Sequence, residues 1–496
     1  MAVKVDTQKE IIFGSSDPNI SRVISKKKKD GELRKLAPRI YTTNLIDSPA
    51  NIVRRNLIEI LAYRYPNALI SHRSAKEMRP TSTGDFFLTN STTRRVTDLP
   101  GIILNFVKGP KATAHDIPFM GMHISGEHRY MLENMQLSRK SGDESRVLPI
   151  SVIENKLEQL LLTGGEERLN QYRDELREVA NELGMADEFS KINNIISALL
   201  STHDARVLST DSAKARASGN PFDANRVGLF EILFDTIKDR YFVIRNNRNT
   251  DEDSFRLFSF FESYFSNYIE GTEFDIEEAK EIVDSGIPMP RRDEDSHDIL
   301  GTFKILSNRT EMRRVPTSPE ELFAILSHRH TILLEGRPHM NPGVFKMRNN
   351  RAGQTEFVDY QLVKGTLSQG FKYYSALTDP FARAIFMMFM ISEVHPFNDG
   401  NGRIARVMMN AEFVRADQSR IIVPTVFRED YILALRKLTR HKDPMAYINV
   451  MTELHQFSDN LYGTDFTELK NYLAACNAYE EPSQAKLQII DRSIRH

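Results

Sequence analysis

The chain has 496 residues with 66 Lys and Arg against 67 Asp and Glu, so no global charge points to nucleic acid or to an anionic membrane surface. That length suggests about three domains at roughly 100–200 residues each. A single cysteine, Cys476, excludes an internal disulfide. No apolar run approaches the roughly 20 residues of a membrane span, and Met1 to Phe13 lacks a signal-peptide core, so the expectation is a cytoplasmic protein with no membrane partner.

Residues 1–60 read as a small basic unit. Asp17-Pro18-Asn19 predicts a helix start; the helix carries Arg22 and Lys26 to Lys29 and ends at Asp30-Gly31. Leu33 to Thr43 is β-prone around Leu36, Ile40 and Tyr41 and is broken at Pro38. Helix, turn and basic hairpin suit a winged helix-turn-helix, in which a helix enters the major groove and a wing touches phosphate. A lysine run on a solvated face reads the same way, so DNA stands as a candidate partner of residues 1–60. Residues 61–160 mix short strands at Ala68 to Ser71, Phe86 to Thr89 and Ile102 to Val107 with a helix over Gly126 to Leu137. The stretch Tyr65-Pro66-Asn67-Ala68-Leu69-Ile70-Ser71-His72-Arg73-Ser74-Ala75, with the basic unit before it, resembles the AbiEi-type antitoxins and related transcriptional regulators over roughly residues 1–230. That resemblance implies a winged-helix DNA reader with an α/β extension and nothing catalytic.

Residues 150–245 are expected to be largely helical, with a polar linker candidate at Ser209 to Pro221. From Asp253 to Phe274 a helix is expected, with Phe258, Phe261, Phe265, Tyr268 and Ile269 on one core-facing side. Ser266 and Glu270 are four apart and so stack on one face, and Gly271 ends the helix. Residues 275–340 look helical with a polar break at Pro288 to Ser296. A hairpin is expected around Asn349-Asn350-Arg351-Ala352-Gly353.

Asp379 to Val394 is a capped segment, apolar on nearly every face, as in a buried helix. After it comes His395-Pro396-Phe397-Asn398-Asp399-Gly400-Asn401-Gly402-Arg403-Ile404-Ala405-Arg406. Ile404, Val407, Met408 and Ala411 then keep helical spacing, so the stretch reads as helix, tight loop, helix. Gly400, Asn401 and Gly402 can form an anion-binding nest at the second helix N-terminus. Arg403 and Arg406, three apart, share a face, and phosphate is the natural ligand for that grouping. Asp399 is a candidate magnesium ligand, and His395 a proton acceptor near neutral pH. A further helix begins near Pro424, and residues 459–496 look like a helical tail.

The stretch resembles the signature of the Fic family, His-x-Phe-x-Asp/Glu-Gly-Asn-Gly-Arg-x-x-Arg, at every fixed position. The resemblance implies transfer of AMP from ATP to a protein hydroxyl. It implies His395 as catalytic base, Phe397 as loop anchor, Asp399 as the Mg²⁺ ligand, and Gly400, Asn401, Gly402, Arg403 and Arg406 as the nucleotide site. Arg406 would reach the γ-phosphate. Ser266, Glu270 and Gly271 resemble the family's inhibitory motif, which implies that Glu270 pairs with Arg406 and opposes the γ-phosphate. The hairpin resembles the family's flap, which holds the target as an added strand. The implied partner is a protein bearing a Ser, Thr or Tyr hydroxyl, the chain itself included; a homo-oligomer is compatible with the sequence. Transfer of UMP, phosphocholine or phosphate stays open, as does a DNA-binding regulator with a dormant site. The expected fold is mostly α. A winged-helix-like unit (1–60) and an α/β and helical extension (61–224) precede a Fic-type domain (225–458). That domain has its inhibitory helix near 254–271 and flap near 343–360, and a helical tail (459–496) follows.

Overall fold

The structure, a computed structural model, describes residues 9–200, 207–353 and 355–492. Residues 1–8 of the basic unit, 354 of the flap and 493–496 of the tail lie outside the described residues. The chain divides into two compact units, Met1–Ser218 and Gly219–His496. The division falls inside the polar stretch expected as a linker. Part of that stretch is nevertheless the helix Asp211–Ala217, because Thr210 caps it and Ala213 is buried.

In the first unit Ile11–Phe13 and Arg34–Ala37 flank Ile40–Thr42 in a three-stranded antiparallel sheet beside the helix Pro18–Lys29. Asp17 caps that helix by accepting from the Asn19 amide. Three residues at Ile11–Phe13 are too few for alternation to be read from sequence. A six-stranded mixed sheet follows, in the order Arg94–Leu99, Ile102–Lys108, Asp85–Asn90, Leu69–Ile70, Met122–Ile124, Ile117–Phe119. One apolar core joins both sheets through Ile52 and Ile60, so residues on either side of position 60 share it. The helix expected over Gly126 to Leu137 spans only Glu127–Glu133; beyond it the Met135 and Gln136 amides donate to the Leu132 and Glu133 carbonyls, three residues back instead of four. The long helix Ile150–Leu183 breaks at Gly165, whose φ of 68° and ψ of −170° are not helical.

The second unit is built on three helices. Pro380–Val394 and Asn401–Arg415 enclose the signature loop and are buried on nearly every face. Asp379 caps the first by accepting from the Ala382 amide. The third, Glu252–Ile269, is capped by Asp251 and buried all round rather than on a single aromatic face. Opposite the expected aromatic face, Ser259 and Ser263 donate to the Leu306 and Ile299 carbonyls of the helix Asp293–Leu306. The aromatic face itself is covered by the C-terminal segment, with Phe466 stacked on Phe261 (5.8 Å, 10°) and Tyr479 on Phe265 (5.4 Å, 23°). That segment has one helix among its described residues, Phe466–Ala475, instead of a continuous helical tail; beyond it Leu487, Ile489 and Ile490 pack irregularly on the same core. Among the described residues no helix is long and apolar enough to cross a membrane.

Candidate functional site

The site begins at the end of Pro380–Val394, where His395 is the C-cap in left-handed backbone (φ 50°, ψ 61°). Phe397 is fully buried and stacks on His330 at 3.7 Å and 6°. His330 in turn accepts the Gly343 amide at Nδ1 (2.8 Å), so its protonated Nε2 donates to the Asp399 carbonyl (2.9 Å). Burial lowers the His330 pKa to about 4, which keeps this bridge neutral. Asn401 closes the loop from inside: its side chain accepts from the Phe397 amide (2.8 Å) and donates to the Phe397 carbonyl (2.9 Å). Of Asn401, therefore, only the backbone amide is left to face a ligand.

The imidazole of His395 is set in one tautomer. Its Nδ1 lies 3.0 Å from the Ser392 carbonyl, which can only accept, so Nδ1 carries the proton and Nε2 is a bare acceptor. Burial, with the nearby charge of Lys346, lowers its pKa to about 4 against the raising effects of the Ser392 carbonyl, Glu270 and Asp399. The ring is neutral at pH 7 and ready to take a proton.

Beyond the loop, Gly400 sits at φ 72°, where a side chain would press on Leu333 and Leu334. Its amide donates to the Asp399 side chain (2.7 Å). The following amides belong to the first turn of Asn401–Arg415, which has no intrahelical carbonyl to give them. A Cβ on Gly402 would fall on Oε1 of Glu270, so only glycine admits that carboxylate to the helix mouth. Arg403 is buried, pairs with Asp298 (2.8 Å) and donates to Asn267 (3.3 Å). Its Nε has no partner among the described residues. Arg406, also buried, donates to the Ser266 hydroxyl (2.9 Å), the Ser266 carbonyl (2.8 Å) and Glu270 Oε1 (2.7 Å).

Glu270 and Arg406 are thus joined across the fold, as the spacing of neither shows. Burial alone would raise the Glu270 carboxyl, but the charge and hydrogen bond of Arg406, with Arg403 and His395 behind it, hold it below the usual carboxylate range. Gly271 follows in left-handed backbone, its amide on the Tyr268 carbonyl (3.0 Å).

The hairpin comprises Arg351–Ala352 and Thr355–Glu356, with Gly353 in the turn, slightly later than its sequence signal and only two residues per strand. Arg226 donates to the Glu356 carbonyl (2.6 Å) and Arg440 to Thr355 (3.0 Å). Its base is tied to the signature loop: the Lys346 amide donates to the Pro396 carbonyl (2.8 Å) and the Asn350 side chain to the Phe397 carbonyl (2.9 Å). Burial lowers the Lys346 ammonium to about pKa 8.

A magnesium ion fits these residues in one manner. No group of three or more His, Cys, Asp or Glu gathers among the described residues, so no all-protein cage exists there. Asp399, with its side chain 39% exposed and Oδ2 3.7 Å from Arg403, offers a single carboxylate beside the anion cradle. Magnesium is commonly held by one or two carboxylates plus substrate phosphates and water.

Residues 318–412 match the Fic/DOC family model. The chain carries a Fic domain. Protein adenylyltransferase Fic of Drosophila willistoni is 30% identical over 89 residues, 18% of this chain and 18% of that protein. Protein adenylyltransferase fic-1 of Caenorhabditis elegans is 40% identical over 62 residues, 12% of each. A Fido domain-containing protein of Dictyostelium discoideum is 28% identical over 107 residues, 21% of this chain and 75% of that protein. The matches thus span under a fifth of the two adenylyltransferases. The solved structure of residues 134–508 of Fic-1 from C. elegans aligns with 66% of this chain and 92% of that chain at 16% identity, with a TM-score of 0.36.

Several residues of the Fic-domain site carry no sequence signal. Asp298, which holds both Arg403 and Arg337 (2.7 Å), sits in the acidic run Asp293-Glu294-Asp295 to Asp298, where nothing distinguishes one carboxylate from its neighbours. His330 and Asn267 lie on helices as ordinary polar residues; only folding brings them to the loop.

Proposed function

We propose that this chain is a protein adenylyltransferase that moves AMP from ATP to a Ser, Thr or Tyr hydroxyl of a target protein and is held back by Glu270. The observation that carries the reading is the bare Nε2 of His395, fixed by the Nδ1–H bond to Ser392, above a cradle of amides and two buried arginines. In the reaction the acceptor oxygen attacks the α-phosphorus and its proton passes to Nε2. The bond from the α-phosphorus to the bridging oxygen breaks, and pyrophosphate leaves. The amides of Asn401, Gly402 and Arg403 and the guanidinium of Arg403 accommodate the phosphate charge. Asp399 would hold Mg²⁺, whose charge would neutralise phosphate oxygens.

Arg406 would bind the γ-phosphate once released. With Glu270 on it, at 2.7 Å and over Gly402, a carboxylate stands where that phosphate must go. Like charges in one site repel, so ATP is pushed into a pose in which the α-phosphorus is not in line with the acceptor.

The test uses α-labelled ATP with the wild-type chain, Glu270→Gly and Glu270→Gly/His395→Ala. Label should enter protein with Glu270→Gly and fall by at least the roughly 10²–10⁴-fold typical of a positioned base in the double variant, with ATP binding retained. Near-normal transfer without His395 refutes the base. Competition by UTP, GTP and CTP reads the donor. A second reading, DNA contact by residues 1–60, is favoured by the exposure of Lys26, Lys28 and Lys29 on the helix Pro18–Lys29; Lys27 is paired with Glu32.

A further inference from the structure

Phe357 leaves the flap directly after the strand Thr355–Glu356, its amide on the Asn350 carbonyl (3.3 Å). Its ring lies flat on the imidazole of His395, with centroids 3.5 Å apart and planes 5° from parallel. Filling a core does not explain this. Val358, next in the chain, is fully buried, whereas Phe357 is only half-buried and gives its face to a polar ring. Among the described residues the imidazole has one other tether, the Nδ1–H bond to Ser392. A single hydrogen bond sets where Nδ1 sits but leaves the ring free to tilt about it. Tilt moves Nε2, the atom on the far side of the ring.

We propose that Phe357 is a positioning residue for His395: its ring holds the imidazole plane so that Nε2 meets the acceptor hydroxyl edge-on, and it makes that alignment depend on the order of the flap. The inference rests on the base role proposed for His395. The charged groups around the imidazole are Lys346 at the flap base, Glu270 at the end of the helix Glu252–Ile269, and Asp399 in the loop. Once Nε2 has taken the proton the ring is a cation, and an aromatic face at this separation favours it.

The experiment uses the full chain in the Glu270→Gly background. It follows α-label from ATP entering the chain itself, across ATP concentrations, for the parent, Phe357→Leu, Phe357→Tyr and His395→Ala. Leucine keeps bulk and loses the plane. Phe357→Leu should lower the maximal rate roughly 10–100-fold, the range an ångström-scale misplacement costs, while the half-saturating ATP concentration stays within about 2-fold, since ground-state binding is untouched. Phe357→Tyr should bring the maximal rate back to within a few-fold of the parent. A Phe357→Leu rate equal to the parent's overturns the proposal; so does loss of ATP binding together with rate, or a Phe357→Tyr variant as slow as Phe357→Leu. If His395→Ala keeps the parent's rate, the base role itself has failed, and a parent that transfers no label overturns the adenylyltransferase reading and this inference together.

Discussion

Replacing Glu270 by glycine tests the brake at its narrowest point. The substitution removes the carboxylate 2.7 Å from Arg406 and leaves that guanidinium its two bonds to Ser266, at 2.9 and 2.8 Å, so the arginine keeps its direction. The Glu270 side chain is 34% exposed, and its pair with Arg406 is therefore worth about 1 kcal/mol to stability rather than the value of a buried pair. Glycine at a helix end adds a backbone-entropy cost of roughly 0.5–1 kcal/mol. Together these lower the melting temperature of the unit by only a few degrees, at about 2–4 °C per kcal/mol. The effect on the reaction is larger. A carboxylate and a phosphate about 4 Å apart repel by roughly 1 kcal/mol in water and about 4 kcal/mol at the effective dielectric of a protein surface. Removing that repulsion from the productive pose should raise the transfer rate between about 5-fold and about 10³-fold. The assay is label incorporation from α-labelled Mg-ATP at saturation, beside a thermal melt of each protein. A Glu270→Gly chain that melts cooperatively near wild type yet is no faster would show Glu270 to be an ordinary helix-end residue.

Arg406→Ala should not imitate that release. In the Glu270→Gly background it should cost activity, because the γ-phosphate loses its cation; an unchanged rate would mean that Arg406 serves only Ser266 and Glu270. If residues 1–60 contact duplex DNA through phosphates, affinity falls linearly with the logarithm of salt concentration. Replacing Lys26, Lys28 and Lys29 by alanine should lower that slope by about 3, and an equal slope would make the run a solvated face. His330 and His455 are buried, and burial lowers each to about pKa 4. Between about pH 6.5 and 4 the unfolded chain binds protons that the folded chain refuses, so stability falls as pH falls, by up to about 3 kcal/mol per histidine near pH 4. Urea midpoints measured from pH 7 down to 4.5 should show the loss, and His455→Gln should flatten the curve; a curve unchanged by that substitution refutes the assignment.

The loop from His395 to Arg406 was legible because its chemistry is local: glycines, base, carboxylate and arginines all lie within one helix–turn–helix. The buried helix before it was legible for the same reason, being apolar all round. The Glu270–Arg406 pair was reachable only through resemblance, since the two residues are far apart in sequence and each is unremarkable alone. What escaped is what depends on third parties. The helix Glu252–Ile269 reads as one-sided because its other side is polar, and Ser259 and Ser263 there are buried only because a later helix, Asp293–Leu306, offers them the Leu306 and Ile299 carbonyls. The edge strand Arg94–Leu99 carries charge at Arg94, Arg95 and Asp98 and is mostly exposed, and its pairing with Ile102–Lys108 comes from the backbone, which no side-chain pattern announces. The supporting residues Asp298, Asn267 and His330 act through orientation, and orientation is a property of the fold.

His395 occupies a position that any measure of foldability would hand to another residue. Its backbone is left-handed, at a cost of roughly 1–2 kcal/mol for a residue with a Cβ. Pro396 behind it pushes the preceding residue toward extended conformations, so the strain is compounded. Glycine there would relax the turn without touching the helix or the loop clamp of Asn401. A library of variants sorted on stability alone would therefore enrich glycine at position 395, whereas the proposed base role requires one sorted on label transfer from ATP to restore histidine and with it a looser fold.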